Sequence, residues 1–278
     1  MDPVIFSIGN FAIRWYSVLI LLGAIIGIVL LIFEAKRFNI NSDFIINISF
    51  YTMIFGIIGA RAYYVLFNFE QYKDNIIDIF KIWNGGLAIH GGLIAGLITI
   101  IVYCKNHDVR PLKMLSMAAP SVIIAQAIGR WGNFFNGEAH GAATTVAKLK
   151  SALVPNFVIK GMNIGGFYYQ PTFYYESIWC ILGFILLMYL RRRKYLKTGM
   201  LLWTYFMWYG AGRLVIESMR TDSLMLGGFK VAQLVSIAIF VIGLIGMMID
   251  SRKGKFEDLY NEALSWVIIF MNIFMMLL

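Results

Sequence analysis

Arg130, Asn133 and Glu138 stand in the run Gly129-Arg-Trp-Gly-Asn-Phe-Phe-Asn-Gly-Glu138, directly after a strongly apolar stretch. Charge at the end of a membrane span is expensive, and irregular backbone there survives only inside protein or beside water. Such a run marks a site rather than scaffold. A second set, Tyr209, Arg213 and Glu217, recurs at i, i+4, i+8 and forms one stripe of a helix. Two readings fit this stripe. It is an internal ion pair with Tyr209 as interfacial anchor, or it presents a guanidinium to an anion while Glu217 orients it. The planar fork of arginine suits a phosphate better than the point charge of lysine.

His90 sits in Gly85-Gly-Leu-Ala-Ile-His-Gly-Gly92, where glycines let another backbone or a lipid come close. It is the one histidine predicted inside a span, His107 and His140 falling in loops. A lone histidine of this kind is either a satisfied core residue or a general base suited to neutral pH. Arg61, in Gly59-Ala-Arg-Ala-Tyr-Tyr-Val65, either snorkels to the headgroups or binds lipid. Tyr16, beside Trp15, is an aromatic-belt residue or a ligand contact, and Arg14 reads as a snorkelling anchor.

The elements that must position these residues are membrane spans. Of 278 residues, 60% are hydrophobic and 14% charged, and the mean hydropathy is +0.73, far above an ordinary soluble domain. Apolar runs of spanning length fall near 14–33, 44–67, 87–104, 112–129, 174–190, 200–219 and 229–249. The expected fold is therefore an all-α polytopic membrane protein of seven transmembrane helices. The runs are too long for strands and lack period-2 alternation, which excludes a transmembrane barrel. Met1 to Asn10 lack the basic n-region of a cleaved signal, so the first span reads as retained.

Basic residues set the orientation. Lys36 and Arg37 follow the first span, Lys105, Arg110 and Lys113 separate the third and fourth, Arg191 to Lys194 with Lys197 follow the fifth, and Arg252, Lys253 and Lys255 follow the seventh. These connections face the cytoplasm, leaving the N-terminus outside and the C-terminus inside. The net charge of +9 is mostly this anchoring pattern, with no nucleic-acid function read into it. Residues 1–255 form the membrane domain, with about 131–173 as a small irregular or short-stranded extracytoplasmic cap; 256–278 is a tail, interfacial or docked on the bundle. Arg14, Arg61, His90, Arg130, Glu138, Glu176, Arg213 and Glu217 mostly fall near the outer ends of the spans, as one site open to the outer leaflet would require.

Several chemistries are missing from the sequence. It has no GxSxG, no Ser/His pair placed for an intramembrane protease, no paired intramembrane aspartates, no P-loop and no dinucleotide fingerprint. Cys104 and Cys180 fall at different depths, which argues against a disulfide, and no His/Cys cluster suits a metal.

These motifs together resemble the prolipoprotein diacylglyceryl transferase family. The Gly129–Glu138 run looks like the family signature nearly residue for residue, and the His90-Gly-Gly run, the Arg61 segment, Trp15-Tyr16 and the Tyr209/Arg213/Glu217 stripe are similar to further motifs in family order. The likeness runs from about Phe6 to Ile249. One segment departs: Gln170-Pro-Thr-Phe-Tyr-Tyr-Glu176 looks like the family's His-Pro-Thr-Gln-Leu-Tyr-Glu, with Gln170 for the histidine and Phe173 for the glutamine. No role is carried onto either residue.

The resemblance implies a reaction at the outer face of the bacterial cytoplasmic membrane. The diacylglyceryl group of phosphatidylglycerol passes to the lipobox cysteine of a prolipoprotein signal peptide, forming a thioether and releasing glycerol phosphate, without metal or cofactor. The implied catalytic residues are His90, Arg130 and Arg213. The implied lipid contacts are Tyr16, Arg61, Arg130, Asn133, Glu138, Tyr209, Arg213 and Glu217. A thiol of pKa about 8.5 benefits from a base, for which His90 is the candidate. Arg130 and Arg213 would hold the phosphate as it gains charge. An anionic lipid would also explain why buried arginines are tolerated. The rival reading is a phospholipid flippase or anion carrier using the same arginines, which would want a polar path reaching the inner face. Another headgroup transferase, such as a phosphatidyltransferase, would want clustered aspartates for a metal.

Overall fold

The computed structural model describes residues 3–8, 11–193, 196–221 and 223–253. The expected tail, 256–278, lies outside them. A short antiparallel hairpin opens the chain, β1 (Val4–Ile8) against β2 (Phe11–Arg14), and runs straight into α1 (Trp15–Arg37). Then follow α2 (Ser42–Phe67), three short 3-10 turns between Phe69 and Asn84, α3 (Ile89–Asn106) and α4 (Pro111–Asn136). Between α4 and the next long helix lie β3 (Ala143–Thr144), α5 (Val146–Ser151), α6 (Asn156–Gly161), β4 (Asn163–Ile164) and β5 (Phe167–Tyr169). The chain continues through α7 (Thr172–Leu190), α8 (Met200–Met219), the hairpin β6 (Met225–Leu226) and β7 (Phe229–Lys230), and α9 (Val231–Lys253).

A helix lies on every predicted segment, and six of them (α1, α2, α3, α4, α7 and α9) are long and apolar enough to cross a membrane. The 20-residue α8, which carries Arg213 and Glu217, falls outside those six. Large apolar side chains such as Leu21, Phe50, Ile98 and Ile245 stand exposed on these helices. That much exposed hydrocarbon suits a bilayer, not water. Backbone contacts divide the chain into two units. One joins Met1–Gly27 to the chain from Ser116 onward, and the other is Ile28–Leu115.

In the first unit, α4, α7 and α8 share an apolar core of Ile123, Ala127, Cys180, Leu187 and Leu201. The crossing of α7 and α8 is fixed by a reciprocal device. Trp179 and Trp208 stack with centroids 4.4 Å apart, and each indole N–H donates to the other's backbone carbonyl at 2.9 Å. Each ring lies over a glycine of the facing helix, Trp179 on Gly212 and Trp208 on Gly183, where a Cβ would strike the indole. Gly212→Ala is accordingly expected to destabilise by about 1–3 kcal/mol, read as a lower melting temperature in detergent. Gly129→Ala, whose Cβ meets nothing within 4 Å, should leave that temperature unchanged or slightly raised.

The segment between α4 and α7 takes the short-stranded form of the two expected. It forms a three-stranded sheet in the order β3-β5-β4, and Leu149, Val158, Ile159 and Met162 pack with Phe134 and Phe173 as a small core of their own. In the second unit α2 and α3 pack closely because Gly59 and Gly91 face each other, where an added Cβ on either would strike the other's carbonyl. Cys104 and Cys180 are both buried and free.

Candidate active site

The Gly129–Glu138 run is not irregular backbone following a helix. It is the last two turns of α4, which continues to Asn136 where the apolar run predicts an end near 129. Hydropathy stops at Arg130, but the helix does not, because Arg130 and Asn133 find partners inside the protein. The helix ends where Gly137 (φ +66°) turns left-handed, its N–H closing on Phe134 O at 3.3 Å. Glu138 then folds back. Its Oε1 accepts from Asn133 Nδ2 at 3.2 Å and Asn136 Nδ2 at 3.0 Å, so Glu138 holds Asn133.

Beyond this turn the chain is laced to the start of α7. The Thr172 hydroxyl donates to Ala139 O, Gly141 N–H to Gln170 O at 2.8 Å, and Gln170 N–H to Ala142 O at 3.1 Å. Both departures from the family pattern thus have local structural work. Gln170 contributes through its backbone, and Phe173 fills the aromatic cluster, 5.1 Å from Phe134 and 5.7 Å from Trp131 between ring centroids. One turn on, Trp131 Nε1 donates to Ser177 Oγ at 3.2 Å, and Ser177 Oγ to Ala127 O at 2.9 Å. These bonds register α7 on α4 and turn Glu176 toward Arg130.

Glu176 is the centre of the site. Its Oε1 lies 2.6 Å from Arg130 Nη2, and its Oε2 accepts from Arg213 Nη1 at 2.8 Å. Arg213 Nη2 reaches Glu217 Oε2 at 2.8 Å. Arg130 Nη2 also meets the Tyr209 hydroxyl at 3.5 Å. Three helices therefore converge on two arginines and two glutamates of zero net charge. The glutamate side chains are sealed, 4% exposed for Glu176 and 3% for Glu217, while Arg130 and Arg213 remain 23% and 14% exposed. The cations thus keep an access that the carboxylates lack. Within the protein itself, Glu176 and Glu217 balance the two arginines. Lys230 secures the end of α8, its Nζ donating to Glu217 O and Arg220 O, both at 2.7 Å.

The structure thus brings Arg130, Tyr209, Arg213 and Glu217 together and adds Glu176, which sequence reasoning singles out as costly without giving it a partner. Its signal is its cost: a carboxylate in a span needs a cation, and the nearest are on other helices. Asn133 and Glu138 pair beside this group. Tyr16 is exposed at the start of α1 and lies across Gly132, where a Cβ would meet the Tyr16 Cα at 3.2 Å and overlap its ring.

Arg61 and His90 belong to the second unit. Arg61 does not snorkel. It is 7% exposed, donating from Nε to Ile79 O at 2.7 Å, from Nη1 to Gly85 O and Gly86 O at 2.8 and 2.9 Å, and from Nη2 to Asp78 O at 2.7 Å. A loop whose carbonyls turn inward needs donors, and one guanidinium supplies them. Arg61→Met should leave the carbonyls of Ile79, Gly85 and Gly86 without this donor, while Asp78 O keeps the Lys81 N–H at 3.2 Å. Faster amide exchange across 76–88, with α8 unaffected, is the expected result. That loop leads into α3, whose second residue is His90, exposed and with its ring centroid 6.3 Å from that of Tyr63.

The description of one family, prolipoprotein diacylglyceryl transferase, matches residues 3–249. The chain belongs to that family. Relatives within the prolipoprotein diacylglyceryl transferases include the phosphatidylglycerol–prolipoprotein diacylglyceryl transferases of Staphylococcus haemolyticus, 45% identical over 96% of this chain and 94% of the relative, and of Listeria innocua, 45% identical over 94% of each. That of Staphylococcus aureus is 44% identical over 96% of this chain and 95% of the relative.

Proposed function

We propose that this chain transfers the diacylglyceryl group of phosphatidylglycerol to the thiol of a lipobox cysteine, the first step of bacterial lipoprotein maturation. The observation that carries the reading is the pair of accessible arginines on α4 and α8 that share a single sealed carboxylate, that of Glu176. The substrate's sulfur attacks the glycerol carbon that bears the phosphate, the carbon–oxygen bond breaks, and glycerol phosphate leaves with the bonding pair. Arg130 engages Glu176 and Tyr209 through Nη2, so its Nε and Nη1 remain for phosphate oxygens. Arg213, fixed between two carboxylates, presents its charge without reorganising as negative charge grows on the leaving oxygen. Asn133 and Glu138 take the headgroup glycerol, and Tyr16 borders the lipid.

Arg61 contributes by ordering the loop before α3. His90 is assigned the thiol proton on residue type and exposure. The substrate supplies the nucleophile, so the protein needs none of its own. The topology that supports this reading has α8 as a seventh span, the N-terminus outside, the C-terminus cytoplasmic, and the site toward the outer face of the cytoplasmic membrane. It rests on the basic residues flanking alternate helices.

The test is transfer from phosphatidylglycerol to a fluorescent lipobox peptide by purified protein, wild type beside His90→Ala. Thioether product is expected from wild type, and a loss in the variant that is relieved at raised pH marks His90 as the base. Phosphatidylglycerol binding without any thioether product would instead favour the lipid-carrier reading.

A further inference from the structure

Gln126 precedes Arg130 by one turn of α4, and Tyr205 precedes Tyr209 by one turn of α8. The two meet: Gln126 Nε2 donates to the Tyr205 hydroxyl at 2.9 Å, and the Tyr205 ring lies over that of Tyr209 with centroids 5.9 Å apart. Gln126 Oε1 is shielded from solvent and has no hydrogen-bond partner among the described residues. A buried polar atom left unpaired is destabilising by about 1–3 kcal/mol, and none of the chemistry described so far uses it.

Gln126, Arg130 and Asn133 stand at i, i+4, i+7 and line one face of α4. Their surroundings differ. Asn133 pairs with exposed Glu138, Arg130 meets the sealed carboxylate, and Tyr205 packs against the apolar core that contains Ile123 and Leu187. A phospholipid has the same order of chemistry: hydroxylated headgroup, phosphate, ester carbonyls, hydrocarbon. With the phosphate at Arg130, the esters fall at Gln126 and Tyr205.

The hydrogen-bond inventory points the same way. A carboxamide has one acceptor oxygen and two N–H donors, and a tyrosine hydroxyl donates once. Turning the amide by half a revolution lets Tyr205 O–H donate to Oε1 and frees both N–H groups. An ester carbonyl then accepts from Nε2, and Gln126 Oε1 gains a partner. We propose that Gln126 and Tyr205 read an ester carbonyl of the lipid donor and make this protein select diacyl over dialkyl glycerol. The inference rests on the transferase reading.

The experiment compares diester phosphatidylglycerol with its dialkyl-ether analogue of the same chain length, each with a lipobox peptide. The diester-to-diether ratio of kcat/KM is measured for wild type, Gln126→Leu and Tyr205→Phe. A ratio is indifferent to the fraction of each preparation that is folded. Wild type is expected to favour the diester on the order of tenfold, with both variants falling to near parity. If a variant transfers from neither lipid, the same ratio is read from the two lipids' competition with a fluorescent phosphatidylglycerol for binding. A wild type indifferent to the ester, or variants that keep its preference, overturns the proposal and leaves the transferase reading intact. No transfer from either lipid by folded wild type overturns the transferase reading and this inference with it.

Discussion

Arg213→Ala is expected to lower kcat/KM for diacylglyceryl transfer by about 100- to 1,000-fold, the usual effect of losing one preorganised charge-stabilising donor. Among the described residues Arg213 is also the one ion-paired with both sealed glutamates, so its loss leaves Glu217 without that cation. Stripping one partner from a buried pair costs about 3–5 kcal/mol, and this variant should therefore melt earlier as well. The two effects separate in Arg213→Leu/Glu217→Leu. Replacing a buried pair by apolar residues is often neutral for stability, so the double variant should regain its melting temperature while transfer stays lost. Recovery of transfer along with stability would show that Arg213 only holds α8. Arg213→Lys keeps the charge without the fork that spans Glu176 and Glu217, and should fall between wild type and alanine.

Glu176→Gln is expected to lower kcat by about 100-fold without raising KM. The carboxylate fixes the spacing of Arg130 and Arg213, and preorganisation of donors is what accelerates such a step. Removing it also changes the four side chains from neutral to one net positive charge, which favours an anion in the ground state. A fall in kcat with unchanged or lower KM is the signature of an interaction that acts on the transition state. A raised KM with unchanged kcat would make Glu176 a contact to substrate instead. Glu176→Asp, too short to reach both guanidiniums, should resemble the glutamine variant despite keeping its charge.

Much of the scaffold was legible in the sequence because a bilayer imposes long apolar runs, and each such run carries a helix. The ends were less legible. α4 runs on to Asn136 past the charge at Arg130, since hydropathy measures transfer to lipid while Arg130 is transferred to Glu176. The Arg213–Glu217 pair could be read from i, i+4 spacing alone. The Arg130–Glu176 pair could not, because it joins separate helices and no periodicity relates them. Arg61 was misleading for a different reason. Its partners are carbonyls of Asp78, Ile79, Gly85 and Gly86, and backbone acceptors leave no mark in residue identity. The N-terminal hairpin and the small core around Phe173 escaped likewise, being set by short-range pairing and packing.

The uneven placement of the charges along the chain also bears on biogenesis. Arg213 and Glu217 neutralise each other within α8. Arg130 has no such companion on α4, and Glu176 is synthesised later, on α7. On insertion scales an unpaired arginine carries a penalty of up to about 3 kcal/mol at mid-membrane and less near the interface. A nascent chain that has released α4 but not α7 should therefore hold Arg130 among the headgroups. Docking of α7, registered by Trp131 on Ser177, then draws that guanidinium inward onto Glu176, before α8 brings Arg213 to the same carboxylate.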